Sequence, residues 1–311
     1  MGKVTGVGSI VIDLTAFTPK LPVAGETVKG YSFKTGCGGK GSNQMTAAKR
    51  AGAEAVIISN VGDDEFKNIV TEHYAKDNMS LKYVNTLSGY LTSVALIEVD
   101  KTSGQNRIVV ITDACDALKT ADVLRAEEEF KTADVILTQN ETSFESIAEA
   151  KRLAEKYNKI FIYNPAPYKD IPLEFLNGVD YITPNESEAE ALTHIKTDTI
   201  DGVKAAAQKL ISLGVKNVII TLGIRGAYFL SKTEEYFIDS IKVEAVETTG
   251  AGDAFNGGFA AAICEGKNVL KSLRFATCTS AISVTRIGSG SSMPARGEIT
   301  ALYEKTYGES F

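Results

Sequence analysis

VILTQNETSFESIAEAKRLAEKYNKIFIYN, residues 135–164, holds the architecture in miniature. Val135 to Gln139 is an apolar run too short for a helix, Phe144 to Tyr157 follows a helical pattern, and Ile160 to Tyr163 is a second short apolar run. Two strands that are apolar on both faces, separated by a helix, read as a βαβ unit. Parallel strands are covered by helices on both sides and have no solvent face to keep polar.

The same alternation extends from about residue 42 onward. Helices are expected over Ser42–Ala51, closed by Gly52, and over Asp64–Asp77, Ser187–Leu192, Asp201–Leu213, closed by Gly214, and Ala251–Cys264; strands over Ala55–Ser59, Tyr181–Thr183 and Val218–Thr221. No repeat, low-complexity tract or linker divides the chain. The expected fold class is α/β, a doubly wound and mostly parallel sheet in one domain over residues 1–311.

Two stretches break the rhythm. TVKGYSFKTGCG (27–38) and the pair TSVALIEVD and NRIVVIT (92–112), joined by a Gly-containing turn at Lys101–Gln105, read as antiparallel strands. They form an expected lid over roughly 14–40 and 91–112. Nearly every position of Val94–Val99 and Ile108–Ile111 is apolar, so both faces should be covered. A ligand on one face and a second subunit on the other is the functional reading; a hairpin packed on the core is the plainer one.

Composition excludes several classes. The 311 residues carry a net charge of −6 with scattered Lys and Arg, so no basic stripe suits a nucleic-acid backbone. No 18-residue apolar run and no leader-like N-terminus occur, which predicts a soluble cytoplasmic protein without membrane partners. Cys37, Cys115, Cys264 and Cys278 form no CxxC pair and are expected as free thiols; His73 and His194 are expected as structural residues.

In an open α/β sheet, ligands bind beyond the carboxyl ends of the strands. Four strands here end in polar groups: Asn140 and Glu141, Asn164 to Pro167, Asn185 and Glu188, and Thr221, Gly223 and Gly226. A fifth element, ETTGAGDAFNGG (247–258), starts a helix with Gly250, Ala251 and Gly252. Helix N-terminal amides and permissive glycines favour an anion, and Asp253 beside them suits a base that deprotonates an attacking hydroxyl. Read alone, the same acid equally serves as a helix-start residue facing the macrodipole. GCGGKGSN (36–43) lacks P-loop spacing and GVGSIVID (6–13) lacks the third glycine of a dinucleotide fingerprint, so both nucleotide readings fail. Gly38, Gly39 and Gly41 instead turn the chain into a helix, leaving Lys40 and Asn43 as donors; with Asp13 they suit a polyhydroxylated ligand.

GGKGSNQ (38–44), NPAP (164–167), TPNESEAE (183–190), TLGIRG (221–226) and TTGAGDAFNGG (248–258) together resemble the PfkB sugar kinases, over essentially the whole chain. With GSIVID (8–13) and VTRIGSGSSMP (284–294), the set is most similar to the ribokinase branch. The resemblance implies ATP-dependent phosphorylation of the 5-hydroxyl of ribose or 2-deoxyribose, an α/β core, and a β lid that serves as a homodimer contact. It implies Asp253 as base, Gly250, Ala251 and Gly252 as anion hole, and Asp13, Gly38, Gly39, Lys40, Asn43 and Glu141 as sugar contacts. Asn185, Thr221, Gly223 and Gly226 match ATP-site positions, and Glu188 matches an acid that holds Mg2+ through water. Glu247, Thr249, Ser283, Arg286, Gly288 and Ser292 match a monovalent-cation loop for K+. Two residues depart from the pattern. Val11 stands where an Asn contacts the sugar, which favours a sugar lacking a hydroxyl there. Glu247 stands for Asp, which predicts weaker potassium stimulation. A nucleoside or other furanose acceptor remains open, as does a non-catalytic sugar sensor on the same scaffold, against which the intact GAGD turn speaks.

Overall fold

The computed structural model describes residues 2–103 and 105–311; Gly104, inside the expected 101–105 turn, lies outside them. Thirteen strands appear among the described residues. They are β1 (Lys3–Val7), β2 (Val11–Thr18), β3 (Ser32–Gly38), β4 (Glu54–Gly62), β5 (Val84–Leu87), β6 (Val94–Asp100), β7 (Asn106–Ile111), β8 (Val135–Gln139), β9 (Ile160–Asn164), β10 (Tyr181–Ile182), β11 (Asn217–Thr221), β12 (Ala227–Ser231) and β13 (Glu235–Ile238). Nine form one sheet in the order β13-β12-β11-β10-β9-β8-β1-β4-β5. Pairing is parallel from β11 to β5, while β12 and β13 are added antiparallel at one edge.

Helices cover both faces: α1 (Lys40–Arg50), α2 (Lys67–Lys76), α3 (Asp113–Asp116), α4 (Thr120–Arg125), α5 (Glu127–Thr132), α6 (Phe144–Lys156), α7 (Glu186–Thr193), α8 (Ile200–Ser212), α9 (Ala251–Cys264), α10 (Val269–Ser283) and α11 (Arg296–Tyr307). Strand alternation divides the core accordingly. Val135 and Leu137 of β8 join Phe259 of α9 and Leu273 of α10 on one face, while Ile136 joins Ile147 of α6 and Val203 of α8 on the other. Buried on nearly every side from Asp253 to Cys264, α9 lies against both α1 and α10. Its alanines and glycines permit that close packing, as expected of a helix with no solvent stripe.

The second sheet, β3-β2-β6-β7, rises from the carboxyl side of β1. It begins at Val11 rather than near residue 14, because β2 pairs antiparallel with β3 from Val11↔Gly38 onward and parallel with β6 from Ile12↔Val94. The expectation that both faces of the hairpin are covered fails in the single chain. Ile108, Val109, Val110 and Ile111 are 47, 59, 46 and 48 per cent exposed, because β7 is the edge of this sheet. Expected and observed elements otherwise agree within a few residues at the ends. Sequence periodicity did not mark the short or half-exposed pieces β5, β12 and β13, the short helices α3, α4 and α5, or the helices α10 and α11.

Candidate active site

The sequence turns α1 and α9 toward each other at their N-termini, and Asp253 sits between them. It is 6% exposed. Asn43 Nδ2 donates to its Oδ2 (2.9 Å) and Gln44 Nε2 to its Oδ1 (3.0 Å), both from the first turns of α1. The same Gln44 nitrogen donates to Asn164 Oδ1 (2.9 Å), and Gln139 Nε2 donates to Gln44 Oε1 (2.7 Å). Asn164 Nδ2 donates to the Thr183 carbonyl (2.8 Å), Thr183 Oγ1 to Asn256 Oδ1 (2.6 Å), and Asn256 Nδ2 to the Gly252 carbonyl (2.9 Å). The ends of β8, β9 and β10 are thereby tied to α1 and α9 by buried hydrogen bonds, a network that fixes side-chain orientation where an unpaired group would cost about 1–3 kcal/mol.

The turn before α9 depends on Gly250, whose φ of 79° is the left-handed conformation that glycine adopts without strain. Of the amides expected to face outward, that of Ala251 turns back to the Thr248 carbonyl (3.2 Å). The amides of Gly252 and Asp253 make no such backbone bond, since they precede the first helical one, from Ala254 N to the Gly250 carbonyl (2.8 Å). Two adjoining cavities open there. The smaller, about 160 Å³, is lined by Lys40, Glu188, Asp253, Asn256 and the 250–252 turn. The larger, about 920 Å³, takes Asn185, Thr221, Gly223 and Gly226 on one side and Ile224, Ile241, Val243 and Val284 among its apolar walls. Gly252, Asn185 and Thr221 line both.

Asn185 caps α7 and is locked to Glu188. Its side chain accepts from Glu188 N (2.8 Å), and its own amide donates to Glu188 Oε2 (2.8 Å). Burial raises the Glu188 pKa, opposed by that amide and by Lys40, and the Asp253 charge adds to the rise. Lys40 shows the reverse balance: burial works against its charge, but Asp253, Glu141 and Glu188 outweigh it and its pKa is raised. The smaller cavity thus keeps a cation facing carboxylates. Among the described residues no group of three or more His, Cys, Asp or Glu side chains is placed to hold a metal ion directly.

Apart from Lys40, the expected sugar residues form a neighbouring corner, outside the lining of both cavities. Asp13 and Val11 share one face of β2 and pair with Gly36 and Gly38 of β3. Ser289 Oγ donates to Asp13 Oδ2 (2.6 Å). Burial raises the Asp13 pKa to about 6, partly opposed by the Ser289 hydroxyl and reinforced by Glu141, Asp253 and Glu247. Val11 is 2% exposed, yet joins neither main hydrophobic cluster, whereas Ile10 and Ile12 do. Gly39 caps α1, and the Lys40 backbone amide donates to Glu141 Oε2 (2.8 Å), which also accepts from Ser9 Oγ (2.6 Å). Glu141 is therefore engaged with the start of α1.

The cation-loop residues come together only in part. Thr249 lies in the turn before Gly250, and Glu247 Oε2 accepts from Gly288 N (2.9 Å), so the extra methylene lets this carboxylate clasp the opposite loop. Arg286 points away and pairs with Glu298. Ser283 Oγ donates to the Ser280 carbonyl (2.8 Å) and Ser292 Oγ to the Ser289 carbonyl (2.7 Å), so both hydroxyls bond within their own turns.

A buried carboxylate between two amide donors, beside a helix N-terminus and a two-part cavity, is phosphoryl-transfer geometry. The family model of the pfkB family carbohydrate kinases matches residues 1–296. The chain belongs to that family. It is 36% identical over 300 residues to the ribokinase of Haemophilus influenzae, covering 96% of this chain and 98% of that protein. It is 34% identical over 290 residues to the deoxyribokinase of Salmonella typhi, covering 93% and 94%. The kinase fold superposes on a ribokinase from Thermotoga maritima with a TM-score of 0.89 at 38% identity, covering 98% of this chain and all of that one (100%). The Arabidopsis thaliana ribokinase complexed with ribose and ATP gives 0.89 at 28% identity, covering 98% and 99%.

Sequence reasoning missed several residues of this carbohydrate kinase. Gln44, Thr183 and Asn256 lie inside the motifs that carry the resemblance but act as supports of Asp253 and its helix, together with Asn164, which the sequence already marked as a polar strand end. Ser9 and Ser289 lie in the first and last motifs. A polar residue that the structure buries within an otherwise small-residue motif is the signal that would have found them.

Proposed function

We propose that this kinase transfers the γ-phosphoryl group of ATP to the 5-hydroxyl of a pentose, ribose or 2-deoxyribose. The observation that carries this reading is Asp253, buried with one hydrogen bond to each carboxylate oxygen and placed on the wall of the smaller cavity beside the α9 amides. Each oxygen keeps a lone pair, so Asp253 accepts the sugar proton as the O5–P bond forms and the bond to the ADP oxygen breaks. The amides of Gly252 and Asp253 face the charge carried by the transferring group; one such donor is worth about 3 kcal/mol of transition-state stabilisation. Lys40, cationic beside three carboxylates, adds positive charge on the same side.

The larger cavity fits ATP, with apolar walls for the base and the 250–252 turn for the phosphates. Bound ATP supplies the phosphoryl group, with Mg2+ neutralising its charge. Glu188 would hold Mg2+ through water, since no direct ligand cluster exists among the described residues and this ion keeps much of its hydration. K+ would sit between the turn at Thr249 and the loop at Gly288, with weak stimulation because Glu247 already binds that loop. On the sugar side, Asp13 accepts hydroxyl protons and Asn43 and Gly39 shape the corner, with Val11 favouring a deoxy position.

The exposed apolar strands of the lid support a homodimer formed through it; no described helix is long and apolar enough to cross a membrane. ADP release measured against pentoses, 2-deoxypentoses and nucleosides tests the reading. Turnover with ribose or deoxyribose is expected, product analysis placing the phosphate on O5. Turnover with nucleosides alone, or none with any acceptor, would overturn it.

A further inference from the structure

The loop between α10 and α11 carries three contacts of the site: Ser289 on Asp13, the Gly288 amide on Glu247, and Ser289 Cα behind the Gly250 turn, where a Cβ on Gly250 would come within 3.3 Å. Its own bonds are short-range, from Ser292 N to the Ser289 carbonyl (3.3 Å) and from Ser291 Oγ to the Ile287 carbonyl (3.2 Å). Something outside the site must fix it.

That group is Arg50, the last residue of α1. Its Nη1 donates to the carbonyls of Gly290 (3.3 Å), Ser291 (3.3 Å) and Met293 (2.9 Å). Its Nε donates to both oxygens of Asp77 (3.0 Å each), and Nη2 pairs with Asp77 Oδ2 at 2.9 Å. Asp77 ends α2, so one planar guanidinium joins two helix ends to three carbonyls of the loop, which an ammonium with its single centre cannot do. The seat beneath is tight. A Cβ on Gly290 would stand 2.8 Å from the Cys37 carbonyl oxygen, 3.0 Å from His73 Cε1 and 3.2 Å from Asn43 Oδ1. His73 is held by Thr46 of α1 (3.0 Å), and burial followed by the Arg50 charge lowers its pKa to about 4, so it packs there neutral.

We propose that Arg50 is a positioning residue for the sugar corner: it sets the 288–293 loop so that the Ser289 hydroxyl reaches Asp13. The inference rests on the sugar-kinase reading above and adds a residue to it. At its first turns α1 holds Asp253 through Asn43 and Gln44, and at its last residue, seven positions and roughly 10 Å further on, it holds the loop that orients Asp13. One rigid rod thereby fixes the spacing between base and sugar-binding acid, and misplacement by an ångström at such a site costs about a hundredfold in rate.

The test compares Arg50→Met and Arg50→Lys with wild type in full-length enzyme. The expected result is a kcat/KM for the pentose reduced about tenfold to a hundredfold in Arg50→Met and less in Arg50→Lys, with the nucleotide KM moved less than threefold. In a Ser289→Ala background the Arg50→Met loss should shrink, because the contact through which it acts is already gone. Adding Asp77→Asn to Arg50→Met removes the unpaired carboxylate and should restore Tm without restoring kcat/KM. Independently of turnover, amide exchange in 287–293 should quicken in Arg50→Met while that of α1 and α9 does not. Unchanged exchange in that segment, fully additive losses with Ser289→Ala, or recovery of kcat/KM together with Tm would each overturn the proposal. A wild type inactive on every pentose would sink the sugar-kinase reading, while the exchange comparison would still decide the clamp.

Discussion

The two halves of the site are built differently. Asp253 stands on a helix buried from that residue to Cys264, and its side-chain partners Asn43 and Gln44 come from α1 and are tied through Gln139 and Asn164 to the ends of β8 and β9, so these supports belong to the central core. Asp13 and Val11 stand on β2, a strand of the smaller sheet whose far edge is apolar and exposed. The half proposed to do chemistry is preorganised by buried hydrogen bonds. The half proposed to recognise the sugar draws instead on the smaller sheet and on the 288–293 loop, which Arg50 holds from the far end of α1. Preorganisation matters most where charge develops, while recognition tolerates, and for lid closure requires, some movement.

The largest test of that contrast removes the base. Asp253→Asn should preserve sugar and nucleotide binding and lower kcat by about 10²- to 10⁴-fold, measured by steady-state rates and calorimetric titration. A variant keeping half of the wild-type kcat would show that the enclosed carboxylate is structural.

The second prediction concerns pH. Asp13 is raised to about 6, by burial first and then by nearby carboxylates, so it takes up a proton as pH falls through that value and loses acceptor capacity for sugar hydroxyls. kcat/KM for the pentose should decline below about pH 6, approaching tenfold per unit, and Asp13→Asn should lower the plateau and abolish that limb. A limb that persists in the variant would assign it elsewhere.

Val11 sharpens the comparison on the recognition side. Val11→Asn should raise the ribose to deoxyribose ratio of kcat/KM by about tenfold, the equivalent of one hydrogen bond of about 1.4 kcal/mol. An unchanged ratio would mean that this valine, although on the Asp13 face, does not meet the sugar.

The smallest expected effects separate the two faces of the lid. Asp13, Ala95 and Val110 lie in register on one face; Leu14, Leu96 and Val109 lie on the other. Ile97 pairs with Ile108 and with Thr15, two positions on from Asp13, and therefore shares the Asp13 face. Val109→Asp should shift a dimer toward monomer in sedimentation with a sugar KM changed severalfold at most, and Val110→Asp should raise that KM while leaving the oligomer intact. The same response from both would erase the distinction.

Much of this was legible in the chain. Val135–Gln139 and Ala251–Cys264 have the bounds that their patterns predict, because short apolar runs and a glycine-marked helix start are local signals. The lid strand β2 was harder to place. Its apolar run is continuous with the approach from β1, and only pairing with β3 and β6 assigns it to the second sheet.

By itself the sequence determined the βαβ alternation, the glycine turn with its acid, and the set of motifs that marks a carbohydrate kinase, since each is carried by residues within a few positions of one another. Tertiary structure alone decided which donors hold Asp253, that the Ala251 amide turns inward, and that Arg50 reaches the 288–293 loop. Asn43 and Asp253 are 210 residues apart, and Arg50 and Met293 are 243 apart. Such pairs meet because α1 packs against α9 and the loop beyond α10, and no local periodicity records which side chains that packing brings within hydrogen-bonding reach.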